Sequence, residues 1–212
     1  MLQWSVRVVA IVLAAGEGQR IGTPKALLLV EGETFLARCC RLLARPGIAA
    51  VAAVIGAQAG RVRHEAPAPG GVTVVENARW ADGMLTSVWT GLDAAGVLGA
   101  EAVLLHPVDH PLVAPATVDR VVDALAGGAF AAVPTWDGRR GHPGGFGAEA
   151  IAALRAAPPE QGARAVLAAH PERVVHVTGD PGCRRGVDTP DDYRRVPGWV
   201  APPGEPSPER TS

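Results

Sequence analysis

An apolar run of strand length, Val6–Leu13 (VRVVAIVL), opens directly into a loop rich in glycines and cations. A strand that is apolar at successive rather than alternate positions fits the centre of a sheet covered on both faces. The segment that follows, Leu13 to Lys25 (LAAGEGQRIGTPK), carries Gly16, Gly18 and Gly22 together with Arg20 and Lys25. Such glycines permit a tight turn whose backbone N–H groups can face an anion with no Cβ in the way. Two cations in the same loop suit a polyphosphate. The spacing is not that of a dinucleotide loop: the third glycine comes one residue late and Pro24-Lys25 interrupts where the helix should continue. Nor is it a Walker loop, because no GK[ST] occurs there. A glycine-rich turn with incidental charges is the plain alternative.

The rest of the chain alternates short β-branched runs with longer Ala- and Leu-rich segments. Further strands are predicted at Ala49–Ile55, Val72–Glu76, Ala102–Leu105, Ala129–Val133 and Arg173–Val177. Helices are predicted at Phe35–Ala44 behind Thr34, Met84–Ala95, Pro115–Leu125, Ala148–Arg155, Gly162–Ala169, and in a short turn from the N-cap Thr189 to Arg195. Strands separated by helix-length segments make βαβ units, right-handed crossovers and a mostly parallel sheet with helices on both faces. The expected fold is thus a three-layer α/β/α sandwich, with its ligands at the carboxyl ends of the strands. One domain is expected over residues 1–196, with Pro197–Ser212, dense in Pro, Ser and charge, as a disordered tail.

Composition narrows the function. With 212 residues, 48% of them hydrophobic, the chain can build one sizeable core. A net charge of −1 and only 4% aromatics argue against bulk nucleic-acid binding and single-strand stacking platforms. Cys39, Cys40 and Cys183 form no CxxC pair and no disulfide framework, and read as thiols of a cytosolic protein. No apolar stretch approaches the ~20 residues of a membrane span. The first apolar run lacks the basic flank and cleavage site of a signal peptide. The expectation is a cytoplasmic protein that binds neither nucleic acid nor membrane.

Five segments, in order, carry a family resemblance. LAAGEGQRIGTPKALL resembles the LAAGxGxRxGxPK signature of nucleotidyltransferases with the GT-A-like, Rossmann-related fold, and is most similar to their MobA-like branch, especially molybdenum cofactor cytidylyltransferases. The others are Asn77-x-x-Trp80-x-x-Gly83-Met84-x-x-Ser87, Pro107-Val108-Asp109-His110-Pro111-Leu112, Arg140-Gly141-His142-Pro143 and Val187-Asp188-Thr189-Pro190-Asp191-Asp192. Together they span most of Val8 to Arg195.

The resemblance implies a division of labour. Leu13, Ala14, Ala15, Gly16, Gly18, Gly22 and Lys25 would cradle the nucleotide, with Gly83 and Ser87 at the base and Trp80 and Met84 either against the substrate or in the core. Lys25, Arg20 and Asp109 are the catalytic candidates. Asp109 and Asp188 would hold Mg²⁺, with Mn²⁺ as the alternative, since hard cations bridge carboxylates and phosphates. Asp109 as a turn residue and Asp188 as a helix-start residue are the competing readings, while Asp191 and Asp192 suit the first turn of the last helix. His142, Pro143 and Arg140 lie in a glycine-rich loop, expected to be mobile over residues 138–147, that would close over the acceptor. His106 and His110 flank Asp109 without an HxH or HExxH zinc pattern, and no catalytic triad is present.

The implied reaction is transfer of NMP, CMP from CTP, onto a phosphorylated acceptor such as molybdopterin, with release of pyrophosphate. CTP follows from LAAG…PK, where guanylyltransferases for the same cofactor usually carry LAGG…DK. A molybdoenzyme or its maturation factor would be the downstream partner. The family's common GDQP reads Val108-Asp109-His110-Pro111 here, and GMxSS reads Gly83-Met84-Leu85-Thr86-Ser87, which leaves other acceptors open. A sugar-phosphate or other small phospho-acceptor nucleotidyltransferase is one alternative. A non-catalytic nucleotide-binding protein that delivers a finished cofactor is the other.

Overall fold

The first strand, β1 (Val8–Ala14), has Val8 to Val12 at most 1% exposed, as expected of a strand sandwiched between helical layers. A computed structural model of the chain describes residues 6–158 and 162–199. After β1 come a short hairpin, β2 (Leu29–Val30) and β3 (Glu33–Thr34), then α1 (Phe35–Leu43), β4 (Ile48–Ile55), α2 (Ala59–Glu65) and β5 (Val72–Glu76). Next are α3 (Met84–Val97), β6 (Ala102–Pro107), α4 (Pro115–Ala126), β7 (Ala131–Trp136), β8 (Arg139–Arg140) and β9 (Gly144–Phe146). The chain continues through α5 (Ala148–Ala156), α6 (Gly162–Ala169), β10 (Val174–Thr178) and α7 (Pro190–Arg194).

The main sheet runs in the order β10-β7-β9-β6-β1-β4-β5, with β8 beside β7. Pairs β1–β4, β1–β6, β4–β5 and β7–β10 are parallel, whereas β9 is antiparallel to both β6 and β7. The connections from β1 lead to β4 on one side, and β6 closes the other. The loop after β1 therefore sits at the switch point, where crevices open in such sheets.

One face of the sheet packs against α1, α2, α4 and α7, the other against α3, α5 and α6. Helix α1 shows why. Phe35, Leu36, Cys39, Cys40 and Leu43 fall on one stripe and are buried, and the Ala37 amide donates to the N-cap Thr34 hydroxyl at 3.2 Å. Burying Phe35, Leu36 and Leu43 stabilises this docking by roughly 1.5–3 kcal/mol each. The three cysteines are buried and free, and no helix among the described residues is long and apolar enough to cross a membrane.

Several boundaries depart from the sequence expectation for local reasons. The strand expected at Ala129–Val133 starts at Ala131, because the Ala129 amide still closes the end of α4 on the Ala124 carbonyl at 3.1 Å. Helix α2 carries only Ala59 and Val62 as buried residues, too short a pattern to read from the sequence. The segment 138–147, expected as a mobile loop, instead contributes β8 and β9 to the sheet, where Phe146 is 2% exposed. Residues 197–199, expected to belong to the tail, instead pack on the hairpin. The Glu31 amide donates to the Gly198 carbonyl at 2.8 Å, and Trp199 bridges to Val30 and meets Tyr193 edge-on at 5.6 Å. Residues 200–212 of that expectation lie outside the described residues.

Candidate active site

The carboxyl end of β1 delivers the glycine loop. Ala14 and Ala15 are buried, so only their backbone borders the loop, while Leu13 faces an apolar cavity on the α3 side. Gly18 has φ +71°, and a Cβ there would collide with the Thr23 carbonyl; Gly22 has φ +82°. Both conformations disfavour any residue with a side chain. Gly16 needs no such exemption, and the space beside it is open. The Ile21 and Gly22 amides both donate to the Gly18 carbonyl at 2.9 Å, which closes the turn. Gly16, Glu17, Gln19 and Arg20 of this loop are exposed, and Pro24 leads into a 3₁₀ turn, Lys25–Leu27, that carries the lysine.

Lys25 is where distant parts of the chain meet. Its Nζ donates to Asp109 Oδ2 at 2.7 Å and to Asp188 Oδ1 at 2.6 Å. Arg20, 71% exposed, approaches the same Asp188 oxygen at 3.4 Å. Asp109 sits just beyond β6, and the Val187 amide donates to its carbonyl at 2.9 Å, which ties the segment before α7 to this strand end. Asp188 is free to face Lys25 because its neighbour Thr189 is the N-cap. The Asp192 amide donates to Thr189 Oγ1 at 3.2 Å, and the Thr189 amide donates to Asp192 Oδ2 at 2.9 Å, a reciprocal capping box. Asp188 is therefore not the helix-start residue of the competing reading, and Asp192 is spent on the cap.

The electrostatics follow from this arrangement. Burial pushes the Asp109 carboxyl up, but the His110 hydrogen bond and charge, then Lys25, outweigh it and hold the group well below the usual carboxylate range. Burial alone would lower Lys25, yet the charges and hydrogen bonds of Asp109 and Asp188 raise it. His110 Nδ1 bonds Asp109 Oδ1 at 2.9 Å, and its ring meets that of His142 edge-on at 4.6 Å. Burial, followed by the charge of His110, lowers His142 to about 4. His106 is fully buried with both ring nitrogens unpartnered, and burial lowers it to about 3, so it is a neutral ring behind the site.

Two hard carboxylates reaching a single cation, the Lys25 ammonium, are the donors that could hold a divalent ion. Each carboxylate oxygen keeps a further lone pair. No group of three or more His, Cys, Asp and Glu that could hold a metal occurs among the described residues. A small donor set of this kind suits Mg²⁺, which is bound through one or two carboxylates plus substrate phosphates, and not a transition-metal cage.

The segment after β5 is held by its own network. Asn77 Nδ2 donates to Thr86 Oγ1 at 2.8 Å and to Ser87 Oγ at 2.9 Å, and Thr86 donates on to the Gly83 carbonyl at 2.8 Å. Ser87 is 5% exposed, so this base candidate is bound into the start of α3, while Gly83 (φ +119°) and Met84 (71% exposed) stay accessible. Trp80 packs on the core. On the other half of the sheet, Arg140 and His142 line two cavities, whereas Pro143, joined to His142 by a cis peptide bond, is buried and lines neither. The same cavities bring in Arg164 from α6 and Arg184, which no local motif marks in the sequence.

A family model described as MobA-like NTP transferase domain matches residues 10–174. The bifunctional enzyme IspD/IspF of Rhodospirillum rubrum is 34% identical over 173 residues, covering 77% of this chain and 45% of that protein. The chain spans less than half the length of the curated relatives it matches. Among solved structures, Rv0371c from Mycobacterium tuberculosis H37Rv has a TM-score of 0.75 at 28% identity, over 90% of this chain and 97% of that one. A complex of Rv0371c with manganese has a TM-score of 0.71 at 27% identity, over 90% and 97% of the two chains.

Proposed function

The chain belongs to the MobA-like NTP transferase family, and from that premise we propose that it transfers NMP from an NTP, CMP from CTP, to a small phosphorylated acceptor and releases pyrophosphate. One observation carries the reading: Lys25, at the end of the glycine loop, lies within 2.7 Å of Asp109, just beyond β6, and 2.6 Å of Asp188, just before α7. A structural ion pair would not require a third charged group or an open amide turn beside it.

The chemistry asks little acid–base help from the protein. An acceptor phosphate is already anionic near neutral pH; its oxygen attacks the α-phosphorus, a new P–O bond forms, and the α–β bridging bond breaks as pyrophosphate leaves. What remains is positioning and charge neutralisation. The loop amides from Gly16 to Arg20 and the Arg20 and Lys25 cations hold the triphosphate, with Lys25 turning from the carboxylates to the phosphates. Asp109 and Asp188 would hold Mg²⁺ or Mn²⁺, whose chemistry is to offset phosphate charge. The manganese complex of Rv0371c supports a divalent ion in a protein of this fold. Gly83, Ser87 and Met84 border the base, and His142 and Arg140 face the acceptor. Molybdopterin is the acceptor that the cytidylyltransferase-like motifs favour, with a molybdoenzyme or its maturation factor downstream, in the cytoplasm.

Pyrophosphate release tests the reading, with CTP, GTP and ATP each offered with Mg²⁺ across a panel of molybdopterin, sugar phosphates and polyol phosphates. Release with CTP that depends on one acceptor supports it. Release only with a sugar or polyol phosphate moves it to that alternative, and nucleotide binding without release from any acceptor marks a delivery protein.

A further inference from the structure

We propose that His110 is the positioning residue of the ion-binding carboxylate. Through Nδ1 it holds Asp109 Oδ1, which keeps Oδ2 facing the position of the Lys25 ammonium after Lys25 has moved to the phosphates. The inference rests on the nucleotidyl-transfer reading above and adds to it a residue that acts through Asp109.

The two carboxylates beside Lys25 are held differently. Asp109, mostly buried, accepts from Lys25 Nζ on Oδ2 at 2.7 Å and meets His110 Nδ1 with Oδ1 at 2.9 Å. A carboxylate that already accepts from an ammonium is ionised and can only accept, so Nδ1 carries the shared hydrogen. Asp188, nearly half exposed, uses the single oxygen Oδ1 for Lys25 at 2.6 Å and for Arg20 at 3.4 Å. Once Lys25 leaves, the remaining side-chain partner of Asp188 among the described residues is the exposed Arg20 at that longer distance. Asp109 keeps a short hydrogen bond. It is therefore the carboxylate whose direction is fixed before any ligand arrives.

His110 can do this because its own ring is clasped. Its amide donates to the Pro107 carbonyl at 3.2 Å, which turns the chain at the end of β6, and Pro111 behind it disfavours a helical backbone at His110. The ring is mostly buried and meets the His142 ring edge-on at 4.6 Å. His142 is pinned in turn, its amide donating to the Cys183 carbonyl at 2.7 Å. On another side lies Gly186, where a Cβ would come 3.2 Å from His110 Cε1 and 3.5 Å from Nε2. A side chain at that position would press on the ring, so Gly186 leaves room for it. Hydrogen-bonded partners of this kind orient metal-binding carboxylates, and losing one typically costs about 10–100-fold in metal affinity.

Mn²⁺ binding to the full chain in the presence of CTP, read from the free-ion electron paramagnetic resonance signal, tests this in His110→Leu and His110→Asn. Thermal melts of the same samples confirm that each is folded. Leucine fills much of the ring's space without a donor. Asparagine's Nδ2 lies as many bonds from Cβ as histidine's Nδ1 and can donate to the same oxygen. His110→Leu should weaken Mn²⁺ by at least ~10-fold, and His110→Asn should stay within about 3-fold of the unaltered chain, because the hydrogen bond survives. Unchanged Mn²⁺ binding in His110→Leu overturns the inference and leaves the transfer reading in place. A loss in His110→Asn as large as that in Asp109→Asn overturns it too, since the hydrogen bond would then not be the cause. Failure of the unaltered chain to bind Mn²⁺ with CTP is a different result: it overturns the transfer reading, and this inference with it.

Discussion

Two glycine-rich segments look alike in composition and are used in opposite ways. In the loop after β1, Gly18 and Gly22 adopt positive φ so that the turn can close, and the space beside Gly16 is open. In the segment after β7, Gly138 turns the chain at φ +68° in open space, but Gly141 and Gly145 are packing residues. A Cβ at Gly141 would fall on the Cys183 carbonyl, and one at Gly145 would lie 2.8 Å from Val121 Cγ1 and 3.0 Å from Leu125 Cδ1. The first segment leaves its backbone exposed, whereas the second lets β8 and β9 enter the sheet and carry Arg140 and His142 to the cavity wall. Glycine content alone cannot separate exposed amides from close packing; the neighbours decide.

Substitutions can break or sharpen this contrast. The largest effect is expected at the first segment's cation: Lys25→Ala should lower nucleotidyl transfer by ~10²-fold or more, the range for losing one charged stabiliser, with the melting temperature little changed. Steady-state pyrophosphate release and a thermal melt check the two halves of that statement. Next, Gly141→Ala and Gly145→Ala should each destabilise the fold by about 1–3 kcal/mol in urea unfolding, the cost of forcing atoms into a packed site. A cost near zero at both would dissolve the contrast.

Thr189→Ala should cost about 1 kcal/mol by removing the helix cap and should loosen Asp188 beside Lys25. The same box gives a pH signature. The Thr189 hydroxyl hydrogen bond is the main cause that holds Asp192 below its ordinary value, with slight burial opposing it. Its stabilisation is present above that ordinary value and is lost as the pH falls through the lowered folded one. Asp192→Asn should flatten this acid limb in unfolding curves taken across that range. The smallest effect belongs to Gly16→Ala, where open space and an ordinary φ predict a change in stability within ~0.5 kcal/mol.

Local signals explain which parts were legible in the sequence. Val72–Glu76 and Gly162–Ala169 have the bounds expected from their patterns, because each is a clear run bounded by turn residues. The central parallel strands were legible because both faces are covered and nearly every position is apolar, His106 of β6 being the exception. Strand β9 was not: three residues, two of them glycines, have no period, and their pairing with β6 and β7 is set by contacts distant in sequence. At the site, Lys25 and Asp109 were marked by the loop and the strand end, and they meet at 2.7 Å. Ser87 was marked too, but Asn77 holds it inside the start of α3. Arg164 and Arg184 carry no local mark, since only the folded chain brings a helix face and a turn to the wall that Arg140 shares.

The central claim is that Lys25, Asp109 and Asp188 surround the place where a nucleotide triphosphate and a divalent ion are held together. Binding of Mn²⁺ in the presence of CTP, followed by the loss of the free-ion electron paramagnetic resonance signal, tests it most directly. The account predicts a tight Mn²⁺–CTP complex with the unaltered chain, weakened by at least ~10-fold in Asp109→Asn and in Asp188→Asn. Equal Mn²⁺ binding by all three proteins would contradict it.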